Sequence, residues 1–194
     1  PTLGPQMKSV GEVMSLGRTF PEALNKAIQS LEIGVDALNG SGPDRNPPAE
    51  LPTLNSLTTP TADRLFKVYR TIQAGTPLEA IAKKTCYDMW FLAEMQEIAK
   101  LEKEISKRKN ISAALLRIAK QYGLADSHLG RLLGKSFEEI RALRKELNVL
   151  PTFQRVDTCA AEFEAQTPYL YSAYEMEDES RPTDHQKIMI LGGG

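Results

Sequence analysis

The side chains able to do chemistry are few and poorly matched to one another. His128 falls in a segment that reads as a short helix and His185 in an acidic loop, and neither has a serine or cysteine spaced to form a nucleophile and base. Cys86 and Cys159 are far apart and neither belongs to a C-x-x-C pair, which argues against a disulfide framework or a zinc site and fits a reducing cytoplasm. Glu175, Glu177, Asp178 and Glu179 could be drawn as a metal cluster, but adjacent acids on a loop are ordinarily just solvated, and the spaced ligands of a calcium loop are missing. These residues are therefore expected to hold no catalytic group, no cofactor and no metal.

Two patterns could bind rather than react. Between Ser112 and Leu147, three short helical segments separated by Gly123 and Gly134 have the outline of a helix-turn-helix, with Lys135, Arg141, Arg144 and Lys145 on the last helix or at its start for phosphates and base edges. Glu138, Glu139 and Glu146 on that helix would meet phosphate unfavourably, and glycine-ended helices also build bundles that never touch nucleic acid. Ile188 to Leu191 followed by Gly192, Gly193 and Gly194 resembles a buried strand entering a phosphate loop, but the helix that completes such a loop does not follow.

The elements that would position these groups are mainly helical. Asp88 to Arg108 predicts the organising helix, with Phe91, Met95, Ile98, Leu101 and Ile105 at intervals of three or four on one face, widened by Trp90 and Leu92. Burying each such side chain stabilises by roughly 1.5–3 kcal/mol, against a few tenths for a surface pair such as Glu104 with Arg108. Before it, Thr19 to Glu22 predicts a capping box opening a helix that buries Leu24, Ala27, Ile28 and Leu31 and stops at Gly34. Residues 62–74 predict a helix burying Leu65, Val68, Tyr69 and Ile72, and Thr76 to Glu79 a second capping box with Pro77 at the first helical position. After it, Asn110 or Ser112 caps a helix over 113–122 whose Leu115, Ile118, Ala119 and Tyr122 face inward. A brief helix runs from Asp126 or Ser127 to Leu133, and Ser136 to Glu139 caps the last, carrying Ile140, Leu143 and Leu147 up to Pro151.

The flanks differ. Residues 1–18 read as an edge strand or extended segment. Residues 35–60, rich in Pro, Gly, Asn, Ser and Thr, read as a linker, draped over the next domain through Leu51, Leu54 and Leu57 or left as a disordered tether. Tyr169 to Tyr174 alternates like a strand, Lys187 to Leu191 reads as a strand buried on both faces, and Glu175 to Asp184 connects them.

Composition sets the outer bounds. A chain of 194 residues, 41% hydrophobic and 25% charged, can bury a substantial core, and its formal charge of −1 gives no reason to expect nucleic acid or an anionic membrane as partner. The near-neutral sum hides an asymmetry: residues 100–146 carry twelve Lys/Arg against six Asp/Glu, while 157–184 carry eight acids against Arg181 alone. The longest apolar run, Met89 to Ala93, is far short of the roughly 20 residues of a membrane span. A first residue that is not methionine, and a last one inside a glycine run, lead us to expect a segment of something longer.

Several stretches resemble one family. Lys8 to Met14 (KSVGEVM), Arg155 to Phe163 (RVDTCAAEF) and Lys187 to Gly194 are similar to the large chain of carbamoyl phosphate synthase, as are Trp90-Phe91-Leu92 and Arg141-Ala142-Leu143-Arg144. The likeness runs along nearly the whole chain except 35–60. It implies a mainly α fold: an orthogonal helical bundle with short β segments at both ends that belong to flanking ATP-grasp α/β domains. Residues 1–33 would be the tail of a first (carboxyphosphate) synthetase half, 34–60 a linker, 61–154 an oligomerisation domain, and 155–194 the start of a second half making carbamoyl phosphate. The resemblance further implies a cytoplasmic parent ligase that uses two ATP, with magnesium or manganese, to convert bicarbonate and ammonia into carbamoyl phosphate for arginine and pyrimidine biosynthesis. A glutaminase small chain would supply the ammonia from glutamine. Partners would be copies of the chain itself and that small chain, with neither nucleic acid nor membrane, and the ATP-grasp chemistry would lie outside these residues. Met7, Glu12 and Glu177 match positions beside the internal carbamate passage of that family.

Overall fold

A computed structural model describes residues 5–6 and 12–190. Contacts divide the chain into two compact units, residues 1–150 and 151–194. Among the described residues the first unit holds seven α-helices: α1 (Phe20–Ser30), α2 (Arg64–Gln73), α3 (Leu78–Thr85), α4 (Met89–Ser106), α5 (Ala113–Gln121), α6 (Asp126–Leu133) and α7 (Phe137–Glu146), with a short 3-10 helix at Leu54–Leu57. The second holds one antiparallel pair, β1 (Thr152–Arg155) and β2 (Leu170–Ala173), in which Thr152 faces Ala173 and Arg155 faces Leu170. The chain is thus mainly α with short strands.

Helix α4 is the axis of the first unit and packs on α1, α2, α3 and α6. Its buried stripe is Leu92, Met95, Ile98, Leu101, Glu102 and Ile105. Trp90 and Phe91, expected in the core, are 53% and 43% exposed and stack instead with Phe20 of α1. One helical turn cannot point Phe91 and Leu92 the same way, and the neighbouring helices select the leucine.

Helix α1 departs further from expectation, because it buries Glu22 and Asn25 beside Ile28 while Leu31 lies 38% exposed. The reason is the helix it serves. The last carbonyls of α5 lack partners within their own helix, and Asn25 Nδ2 donates to the Tyr122 carbonyl at 2.8 Å and Gln29 Nε2 to the Gly123 carbonyl at 2.7 Å. Thr19 caps α1 by accepting from the Glu22 amide, but the Glu22 carboxylate accepts from the Arg18 amide at 2.7 Å rather than from Thr19, so the expected capping box is displaced by one residue. The box expected at Thr76 does not form: Pro77 is itself the N-cap and no side chain accepts there. The box at Ser136 and Glu139 is complete. In α5 Ile118 is 43% exposed and Leu116 takes its place inside.

Residues 35–60 are draped over the helices and contribute to the core. Val35, Ala37, Leu38 and Leu57 are buried, and the 3-10 helix packs on α2 and α3, while Leu51 remains exposed. Arg70 holds the segment by donating to the Pro48 and Glu50 carbonyls.

At the edges, residues 12–18 form no strand. Residues 187–190 are not a strand buried on both faces either: Ile188, Met189 and Ile190 are 84–89% exposed. A parallel strand needs hydrogen-bonded neighbours on its flanks, and the sheet among the described residues is only the β1–β2 pair. Leu191 to Gly194 lie outside the described residues, as does most of Lys8 to Met14.

Candidate functional site

Among the described residues of the first unit, chemistry-bearing side chains meet at two buried places, and both are ties between elements. The first begins at Glu102, whose position in the α4 stripe faces α2 and α6 and leaves it 3% exposed. Gln73 Nε2 of α2 donates to Glu102 Oε2 at 2.8 Å, and His128 Nε2 of α6 lies 2.7 Å from Glu102 Oε1. Arg131, one turn after His128, has Nη2 3.3 Å from His128 Nδ1 and forms a bidentate pair with Asp36, which also accepts from the Ser127 hydroxyl. A guanidinium has donors only, so Nδ1 is the accepting nitrogen and the ring proton sits on Nε2, pointing at Glu102. Tyr69 is fully buried nearby; burial pushes its hydroxyl well above the ordinary tyrosine range, and the Glu102 charge pushes the same way. A continuous polar chain thus joins α2, α4, α6 and the loop carrying Asp36.

The second tie is centred on Asp126, at the first position of α6. Lys120 Nζ donates to it at 2.8 Å and to the Leu124 carbonyl at 2.6 Å, and Arg144 of α7 donates through Nε at 2.8 Å. Burial pushes the Asp126 carboxyl up, but Lys120 and Arg144 together outweigh it and hold it below the usual carboxylate range. Burial also lowers Lys120, with Asp126 opposing. Neither tie brings a nucleophile and a base together: among the described residues the Tyr69 hydroxyl is buried without a hydrogen-bond partner, and the Gln73, Lys120 and Arg144 donors face acceptors within the protein.

The geometry gives the nucleic-acid reading no support. Arg144, one of its four candidate cations, is largely buried against Asp126, while Glu138 and Glu139 are exposed on the same helix. His128 is a buried structural group, and His185 lies exposed in a loop. Of the acids drawn as a metal cluster, Asp178 accepts from the Ser180 and Phe153 amides and Glu179 from the Arg155 amide, so they organise the turn beside β1. Among the described residues no three His, Cys, Asp or Glu side chains converge to hold a metal. No helix there is long and apolar enough to cross a membrane.

Glu12 and Glu177 are both exposed, one in each unit, and Met7 lies outside the described residues. The Glu177 carbonyl accepts from Gln154 Nε2 at 2.6 Å. Sequence reasoning missed Glu102, because an acid on an otherwise apolar stripe reads as the rim of the helix; its one signal was the spacing of 102 from Ile98 and Ile105, which places it on the core face.

One further feature is at the surface. The rings of Phe20, Trp90 and Phe91 form a closed triangle with centroids 4.9–5.3 Å apart, where the first turns of α1 and α4 meet.

Comparison with known proteins places these features in context. Residues 12–148 match the family described as carbamoyl-phosphate synthetase large chain, oligomerisation domain. Relatives called carbamoyl phosphate synthase large chain are 44% identical over 193 residues in Methanothermobacter thermautotrophicus and 45% over 201 in a Synechocystis strain. A third, from Thermus thermophilus, is 45% identical over 189 residues. These alignments cover 97–100% of this chain but only 17–18% of each relative.

Proposed function

The chain belongs to the carbamoyl-phosphate synthetase large-chain family, through its oligomerisation domain, and on that premise we propose that its work is assembly: residues 12–148 join copies of the polypeptide and fix the spacing of what lies on either side. The single observation that carries this reading is the family match across the whole helical unit. The site geometry agrees with it, since the buried polar groups are spent on stiffening the bundle. A scaffold that sets distances benefits from ties such as His128–Glu102 and Asp126–Arg144, which resist sliding of one helix past another.

The parent reaction follows from the relatives' name and from the resemblance of the flanking motifs. We propose that the longer protein is a ligase making carbamoyl phosphate from bicarbonate and ammonia released from glutamine by a small chain, with ATP and magnesium or manganese bound elsewhere in it. This chain alone would be inactive. Met7, Glu12 and Glu177 are proposed to border the internal carbamate passage; the exposure of Glu12 and Glu177 supports this, as it leaves both available to neighbouring parts.

Sedimentation velocity over a wide concentration range tests the assembly role. Growth of the sedimentation coefficient with concentration is expected, and a monomer throughout would overturn it.

A further inference from the structure

We propose that His128 makes a pH-sensitive latch for the loop at residues 34–42: when the ring takes a proton at Nδ1, Arg131 is driven off it, and the loop that Arg131 holds through Asp36 loosens from α6. The loop closes on itself. A β-carbon on Gly42 would stand 1.9 Å from the Gly34 carbonyl, and inside that neck the Asp36 and Gly40 amides donate to the Ser41 and Ala37 carbonyls, both at 3.0 Å. It therefore moves as one piece. Its Val35, Ala37 and Leu38 are buried against the bundle, while its polar ties run to α6, where Ser127 and Arg131 donate to Asp36 and Arg131 Nη2 lies 3.3 Å from Ser41 Oγ.

The groups that face the ring come from several elements. Helix α4 supplies Glu102, which also accepts from Gln73 of α2, and α2 adds Tyr69, whose hydroxyl burial keeps neutral. On the other side stands Arg131 of α6 itself, with Asp36 of the loop behind it. The cations that α5 and α7 bring to this end, Lys120 and Arg144, are engaged by Asp126. With the ring neutral, Asp36 and Arg131 cancel, and Glu102 is a buried carboxylate that meets only neutral donors. A proton from solvent at Nδ1 changes both sides at once. Toward α4 it creates an ion pair with Glu102, which favours charging the ring. Toward the loop it sets one N–H against another and two positive charges at 3.3 Å, with no acceptor for the new donor. The ring is 2% exposed and the Arg131 side chain 28%, so it is the guanidinium that turns toward water. Its Nη2 is shared among Nδ1, Asp36 and Ser41, and turning from the ring gives up the bidentate hold on Asp36. Acid thus tightens α6 on α4 and releases the loop. Neither effect depends on whether copies of the chain associate.

The test uses the 194-residue chain. Hydrogen exchange at the Asp36 and Gly40 amides, corrected for the intrinsic effect of pH on exchange, is followed between about pH 8 and 5.5, the range in which histidine ordinarily titrates. Nitrogen-15 spectra follow the His128 ring over the same range. Protection of the two amides is expected to fall at least about tenfold in step with protonation of the ring, a modest response for two unit charges a few ångströms apart, while amides within α4 keep theirs. His128→Gln, which offers a donor and an acceptor but takes no proton, is expected to abolish the pH dependence. His185→Gln, which removes the only other histidine, leaves it intact, and Asp36→Ala gives the loosened loop at every pH. The native ring and native exchange need no variant, so the comparison stands even if a variant fails to fold. A ring that protonates with loop protection unchanged, or one that stays neutral to pH 5.5 in the folded chain, would overturn the latch. So would a fall in protection that persists in His128→Gln or vanishes in His185→Gln.

Discussion

His128 Nε2 and Glu102 Oε1 lie 2.7 Å apart, joining α6 to α4 across 26 positions of sequence, with both side chains nearly sealed from water. The pair is held from both ends, by Gln73 on the carboxylate and Arg131 on the far ring nitrogen. Removing one member of such a set leaves the others desolvated and unmatched, which costs more than the bond itself contributes. Glu102→Ala is therefore expected to destabilise the first unit by about 3 kcal/mol in urea unfolding. Loss of less than about 0.5 kcal/mol, the scale of an ordinary surface substitution, would show that the tie is not under tension from burial.

The proton position on that ring is separately testable. Because the Arg131 guanidinium faces Nδ1, nitrogen-15 spectra of histidine-labelled protein are expected to show Nδ1 unprotonated and the proton on Nε2. The opposite tautomer would mean that Arg131 is not where its contacts with Asp36 and Ser41 place it.

Asp126 should be costlier to lose than Lys120. Asp126→Asn strands a buried ammonium, and a loss of about 3–5 kcal/mol is expected; Lys120→Met leaves Asp126 paired with Arg144 and relieves a group whose charge burial already disfavours, so its cost should be clearly smaller. Equal costs would contradict the arrangement.

The same carboxylate predicts a pH dependence. Its folded value lies below the unfolded one of about 3.9, so its contribution is complete above that pH and is lost as pH falls through the folded value. Urea midpoints of the native chain should therefore decline below about pH 4 more steeply than those of Asp126→Asn. Parallel profiles would argue against a depressed carboxyl.

Gly130 reverses a familiar rule. Alanine is ordinarily favoured over glycine within a helix by about 1 kcal/mol, yet here a β-carbon would stand 2.5 Å from the Lys135 carbonyl, where the chain turns from α6 into α7. Gly130→Ala should destabilise by about 1–3 kcal/mol, and any gain in thermal midpoint would contradict that close approach.

Much of the helical framework was legible from local signals. Helix α7 begins where Ser136 and Glu139 satisfy each other's amides, α6 ends at Gly134 with φ of 65°, and the α4 stripe from Met95 to Ile105 follows the spacing of its apolar residues. These features depend on a few consecutive side chains and the pitch of one helix, which is information the sequence holds by itself. The likeness to the family was equally readable, since it rests on residue order alone.

What the tertiary structure decided is which of several adequate faces turned inward and where polar groups found partners. Phe91 and Leu92 were equally fit for the core until α1 placed Phe20 beside the former; Asn25 became buried and Gln29 half-buried because α5 ended against them; residues 35–60 joined the core, Leu57 doing so because its 3-10 helix met α2 and α3. Residues 187–190, apolar enough for a buried strand, remain exposed among the described residues. The physical reason is common to all of these: periodicity and capping are local energies, whereas burial is a property of pairs of elements, and its sign for one residue is undetermined until the partner's position is known.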